Sequence, residues 1–279
     1  MIKNILITGA TSGIGLAAAG ELAALGHNII CAGRDKQKCI ASEEAIKKSV
    51  PGASVIYLEC DLSTQKNIHN LAKSVRESTA RIDVLINNAA AVSSKFIETP
   101  DGIELQLAVN HLSHFLLTNL LLELLKKSDE PRIINVSSRS HRNTVLHWNN
   151  MMMKRFYGCL RAYKRSKLCN VLFTHELNKR FDYIDAFSID PGLVNTRLGL
   201  KNTGGLIYAF WNNRMKKGLS PGEAARTIVY LATEETLPES EFSHYKYFKP
   251  IKPSRYSLNM DHADRLWRIS EKYCGIDSE

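Results

Sequence analysis

Short, unbroken apolar runs alternate along the chain with longer segments whose apolar positions recur every three or four residues. The runs predict strands over residues 2–8, 28–32, 54–60, 83–87, 132–137 and 184–189. The periodic segments predict helices over 14–25, 36–48, 64–78, 102–127, 160–180 and 221–232. Gly26 closes the first helix and Pro51 follows the second, both of them helix stop signals. Strands that are apolar without alternation are covered on both faces. The alternation of strand and helix therefore predicts an α/β fold, a doubly wound parallel sheet with helices on both faces. The rhythm breaks at 197–218, where Leu206, Ile207, Tyr208, Phe210 and Trp211 stand beside Arg214, Lys216 and Lys217. That mixture predicts an amphipathic lid over a substrate. No repeat, low-complexity tract or Pro/Gly-rich linker divides the chain, so 1–279 reads as a single domain with an extension around 240–279.

A hydrophobic content of 44% and a charged content of 23% over 279 residues describe a soluble globular protein with a sizeable core. The most apolar window, 115–127, is too short to cross a bilayer and contains Glu123. The N-terminal residues run straight into the first strand without a signal-peptide pattern, so a cytoplasmic location is expected. Cys31, Cys39, Cys60, Cys159, Cys169 and Cys274 show neither C-x-x-C nor metal-like spacing with histidine. Reduced, packed thiols and no metal are expected of them.

The net charge of +9 changes the picture more, because it asks for an anionic partner. No helix-turn-helix, zinc or RNP pattern accompanies it, and nucleic acid is not expected. A phosphate-rich cofactor and an anionic membrane surface fit equally well, and the basic edge of the lid adds peripheral membrane contact to the expectations. The sequence leaves the oligomeric state open, a homodimer included.

Gly9, Gly13 and Gly15 fall between the first strand and the first helix, where glycine lets backbone approach a ligand closely. The helix N-terminus then offers free N–H groups and a partial positive charge to a phosphate. The spacing T-G-x-x-x-G-x-G in a first β-α unit is the context a dinucleotide site requires. Further along, Tyr163 precedes Lys167 by one helical turn and shares its face. A phenol beside an ammonium can serve proton transfer, although a basic run on a helix is more often a solvated surface.

Together these features resemble the short-chain dehydrogenase/reductase family. Thr8-Gly9-Ala10-Thr11-Ser12-Gly13-Ile14-Gly15 matches its cofactor loop, and Asn87-Asn88-Ala89-Ala90 its N-N-A-G strand end with a final Ala. Asn110, Ser138 and Tyr163-x-x-x-Lys167 match its catalytic positions, and Pro191-Gly192 with Thr196 its turn after the sixth strand. "VNHLSHFLLTNLLLELL", the long segment between Ser138 and Tyr163, and the tail "YKYFKP…DRLWRISEKYCG" resemble the retinol dehydrogenase branch. Members of that branch often carry an N-terminal membrane anchor, and no segment of this sequence reads as one.

The resemblance implies a Rossmann-type fold and an NADP(H)-dependent oxidoreductase. Its substrate would be a small lipophilic alcohol or carbonyl, retinoid-like in class. Tyr163 would be the general acid/base, with Lys167 lowering its pKa and binding the nicotinamide ribose. Ser138 would hydrogen-bond the substrate oxygen, and Asn110 would hold a relay water through its backbone carbonyl. Strand alternation lets only one of Ser137 and Ser138 reach the cleft, with Ser137 the alternative. Gly9, Thr11, Ser12, Gly13, Ile14, Gly15, Asn88, Ala89, Pro191, Gly192 and Thr196 would line the cofactor, with Asp61 and Leu62 beside its adenine. In "CAGRDKQK", Gly33 takes the place of the acid that selects NAD and Arg34 follows it, which favours NADP(H). Asp35 is the competing acid one residue on. A cofactor-binding regulator without turnover is the alternative function.

Overall fold

The computed structural model describes residues 1–195 and 218–276. The chain begins with β1 (Asn4–Thr8), α1 (Gly13–Ala24), β2 (Asn28–Gly33), α2 (Lys36–Ser49), β3 (Val55–Glu59), α3 (Gln65–Ser78) and β4 (Val84–Asn87). After α4 (Leu105–Leu107), a π-helical segment (Ala108–Leu112) and α5 (Ser113–Leu125) come β5 (Arg132–Val136), α6 (Cys159–Arg180) and β6 (Asp185–Ile189). The described chain ends with α7 (Pro221–Thr233), β7 (His244–Lys246), β8 (Lys249–Pro250) and α8 (Met260–Cys274). The strands form one sheet in the order β3-β2-β1-β4-β5-β6-β7-β8, parallel except for the β7–β8 pair. The order reverses between β1 and β4, and in such sheets a ligand crevice opens at that point, beyond the strand C-termini.

Adjacent residues of each central strand serve opposite cores, which is why these strands are apolar throughout. Leu6, Leu85 and Ile133 face α3, α5, α6 and α8 through Leu71, Phe115, Leu172 and Trp267. Ile5, Ile7, Ile86 and Ile134 face α1 and α7 through Ala18, Leu22 and Ile228. All six cysteines are free and buried. No helix among the described residues is long and apolar enough to cross a membrane.

Three differences from the sequence expectation matter for the site. The helix expected over 102–127 starts at Leu105, where the buried Glu104 carboxylate accepts the Gln106 and Leu107 N–H groups, and it is interrupted by the π turn that holds Asn110. Strands β7 and β8, of three and two residues, extend the sheet beyond β6. Helix α8, capped by Asn259 and ended by Gly275, lays Leu266, Trp267 and Ser270 against α6 and the π segment. The expected lid, with Leu206, Ile207, Tyr208, Phe210, Trp211, Arg214, Lys216 and Lys217, lies outside the described residues, as does Thr196.

Candidate active site

The glycine loop after β1 is packed against the end of β4. A Cβ at Gly9 would stand 2.7 Å from Ala89 Cα, and one at Gly15 would stand 2.5 Å from both Asn88 Nδ2 and Gly9 O. Thr8 Oγ1 accepts the N–H groups of Asn88 (3.0 Å) and Ala89 (3.1 Å), while Asn88 Nδ2 donates to Thr8 O (2.8 Å) and Gly9 O (3.2 Å). The Tyr57 hydroxyl donates to Ala10 O at 2.8 Å and holds the loop from β3. Thr11 and the exposed Ser12 lead into α1, whose first turn contains Gly13, Ile14 and Gly15.

The electrostatics of this loop suit a phosphate. The Ser12 side chain makes no capping hydrogen bond and the first turn of α1 carries no acid. By contrast, Asp35 caps α2, and Ser220 with Glu223 forms a full capping box on α7. The first-turn N–H groups of α1 and the positive end of its dipole therefore meet no acid of the helix's own. Arg34 is exposed and unpaired among the described residues, while Asp35 takes the Lys38 N–H (3.1 Å) and the Lys38 ammonium (2.9 Å). Asp61 Oδ1 accepts from Ser63 N, and Leu62 is buried. Pro191 is buried, and Gly192 N donates to Asp190 Oδ1 at 3.0 Å.

The opposite wall comes from β5, α6 and the π turn. Ser137 Oγ is buried and donates to Lys167 O at 2.7 Å, so it is committed to α6. Ser138 reaches the Tyr163 phenol, and its Oγ also accepts from Ser140 N at 3.2 Å. The Lys167 ammonium sits 5.8 Å from the Tyr163 ring centre and donates to Val136 O at 2.9 Å. Asn110 Oδ1 accepts from Ala91 N (2.6 Å), and its Nδ2 donates to Ala91 O (3.0 Å) and Ser166 Oγ (2.9 Å). It thereby ties the end of β4 to α6 one residue before Lys167.

The expectation that Lys167 lowers the Tyr163 pKa is reversed here. Burial pushes the Tyr163 phenol up to about 12, against a lowering hydrogen bond from Ser138, and the nearby Asp190 carboxylate pushes the same way as burial. Burial also pushes the Lys167 ammonium down to about 7. Removing both groups from water disfavours both charges, and burial dominates at each. The resulting pair is a neutral phenol beside an amine that titrates near neutrality.

The sequence model of the short chain dehydrogenase family matches residues 3–203. This chain belongs to that family. Human retinol dehydrogenase 13 is 37% identical over 288 residues, spanning 99% of this chain and 86% of that protein. The crystal structure of an uncharacterized protein from Mycobacterium paratuberculosis superposes with a TM-score of 0.76 at 30% identity, covering 98% of this chain and 93% of the other. A metagenomic short-chain oxidoreductase in complex with NADP superposes at 0.63 with 25% identity, covering 90% and 97%. The short-chain dehydrogenase described here is thus an oxidoreductase of the retinol dehydrogenase branch, and its family binds a nicotinamide cofactor.

Sequence reasoning missed several residues that shape this short-chain dehydrogenase site. Asp190 is buried 3.5 Å from the Lys246 ammonium and acts on Tyr163. Its place directly before Pro191-Gly192 was the available signal. Tyr57 buttresses the glycine loop from a strand whose pattern marks only burial. His141 and Ser254 meet behind Ser138 across 113 residues, which no local pattern reveals.

Proposed function

We propose that this short-chain dehydrogenase interconverts a lipophilic alcohol and its carbonyl, with NADP(H) as cofactor and retinoid-like compounds as the substrate class. The convergence of Ser138, Tyr163 and Lys167, past the same end of the sheet as the N-terminus of α1, carries the reading. A bound nicotinamide supplies or accepts the hydride. Tyr163 exchanges the proton with the substrate oxygen, and its phenol, held neutral by burial, suits reduction. Ser138 donates a hydrogen bond to that oxygen as charge builds on it. Lys167 holds the ribose, and the Asn110 carbonyl holds the relay water. The name of retinol dehydrogenase 13 supports the lipophilic class. Arg34 supports NADP(H), because a guanidinium matches a phosphate in shape and charge while Asp35 is taken up as the α2 cap.

A panel of aldehydes and ketones with NADPH, followed at the nicotinamide absorbance, tests the reading. Long apolar carbonyls are expected to exceed small ones in kcat/KM by about tenfold or more, the effect of a few buried methylenes. Binding of NADPH with no turnover of any carbonyl would leave the regulatory alternative instead. In the same assay, Arg34→Asp is expected to move the NADPH:NADH ratio of kcat/KM toward NADH by roughly 10- to 100-fold. The change removes a charge-assisted hydrogen bond to phosphate and adds repulsion. An unmoved ratio would show that Arg34 does not select the cofactor.

A further inference from the structure

Ser138, two residues beyond β5, is extended and caps a 3-10 turn, Arg139–Asn143. Inside that turn His141 is fully buried. Its Nδ1 lies 2.7 Å from Ser138 O and its Nε2 lies 3.2 Å from Ser254 N. A carbonyl oxygen only accepts and an amide nitrogen only donates. The ring is therefore neutral, with its proton on Nδ1 and its Nε2 lone pair on Ser254. The neighbouring Arg142 guanidinium donates to Lys252 O and to Pro253 O, so one turn grips the C-terminal segment at three successive residues. The His141 backbone N–H also donates to Ser138 O at 3.1 Å. Ser138 Oγ accepts from Ser140 N within this turn, and its own proton is free to reach the Tyr163 phenol beside the cleft.

Two further imidazoles crowd the pin. The His244 ring of β7 packs edge-on at 4.8 Å from His141, with Nδ1 2.9 Å from Ser188 Oγ of β6. His175 of α6 adds its field, and the charged groups facing the cluster are Arg142 on the same turn, Asp190 after β6 and Lys246 on β7. Burial pushes the His141 pKa down and the Arg142 guanidinium adds to that, against the bond to Ser138 O and the Asp190 carboxylate, which raise it. The surroundings thus hold His141 in the one protonation state that can make both bonds.

We propose that His141 is a positioning residue that sets the Ser138 hydroxyl by donating from Nδ1 to Ser138 O, with Ser254 N holding the ring in that tautomer. The proposal rests on the functional reading above and deepens it by adding a residue that acts through Ser138. An Asn side chain can place an N–H near the Nδ1 position, whereas Gln reaches toward Nε2 and Phe makes neither bond.

The test uses the full chain with NADPH and a carbonyl it reduces. His141→Gln and His141→Phe are expected to lower kcat on the order of 100-fold, the effect of misplacing a reacting group by about 1 Å. KM for NADPH should stay put, and His141→Asn should recover most of the loss. Placed in a Ser138→Ala background, His141→Gln should add little, because its effect passes through the missing hydroxyl. Additive losses in that double variant, or equal losses in the Asn and Gln variants, would overturn the proposal. Nitrogen-15 histidine spectra provide a readout that needs no turnover, with His141→Asn assigning the signal. A neutral ring protonated on Nδ1 is expected. A ring protonated on Nε2, or a charged ring at pH 7, would also overturn it. A wild-type chain that turns over no carbonyl but shows the expected ring would count against the functional reading and not against the pin.

Discussion

Tyr163→Phe is expected to lower kcat by about 10²- to 10⁴-fold, the usual contribution of a general acid, while NADPH binding and thermal stability stay close to wild type. The phenyl ring fills the same space, so the loss falls on the one transferable proton. The effect should lie in kcat and not in the KM for NADPH, because the glycine loop, Arg34 and the α1 terminus are untouched. Steady-state kinetics paired with NADPH fluorescence titration separates these quantities. Near-normal turnover in the variant would sink the role given to Tyr163. The raised phenol adds a second expectation. With its pKa near 12, reduction should persist well into alkaline pH, while oxidation, which needs the phenolate, should climb with pH. Parallel pH profiles in the two directions would contradict that assignment of the proton.

The second large effect concerns acid. Burial lowers the pKa of His111 to about 3 and of His175 to about 4, and it lowers His114 and His244 well below the usual histidine range. A folded-state pKa below the unfolded one means that the unfolded chain binds more protons, so stability is full above about 6.5 and is lost as pH falls. At pH 5, His111 and His175 together withdraw about 4 kcal/mol, and His114 and His244 act in the same direction. Typical total stability is only about 5–15 kcal/mol. Glu104, raised by burial, works the other way, but only nearer the carboxylate range. Thermal melts at pH 7, 6 and 5 should show Tm falling on the order of 10 °C across the series. His175→Gln should flatten that slope by about 2 kcal/mol at pH 5. A Tm independent of pH between 7 and 5 would show that these rings are not held neutral.

The central strands were legible because they are buried on both faces and therefore spell continuous apolar runs, as in Ile5–Leu6–Ile7. Strands β7 and β8 were not, since three and two residues carry no period and their pairing is imposed by β6. The π turn at Asn110 was hidden for a different reason. One extra residue per turn changes backbone bonding without changing which residue types are apolar, so 102–127 read as a single uniform helix. The choice of Ser138 over Ser137 was legible, because strand alternation sends neighbours to opposite faces, and Ser137 is indeed turned onto Lys167 O. The ionisation of Tyr163 was not. The spacing of Tyr163 and Lys167 reports the pull of one charge on the other, whereas the pKa also sums the loss of water around each group. The His141 pin joins residues too far apart for any local pattern to announce.

That distance has a consequence for the order in which the enzyme is made. The glycine loop, Asn88 and the first four strands leave the ribosome well before Ser254. At about 5–20 residues per second, the 113 residues between His141 and Ser254 take roughly 6–23 s to synthesise. During that interval a nascent chain already carries the glycine loop, Arg34 and Asn88, while the turn behind Ser138 still lacks its anchor. The groups placed to meet the phosphates are therefore synthesised first, and the turn that sets Ser138 is completed only when Ser254 arrives, just ahead of the last helix.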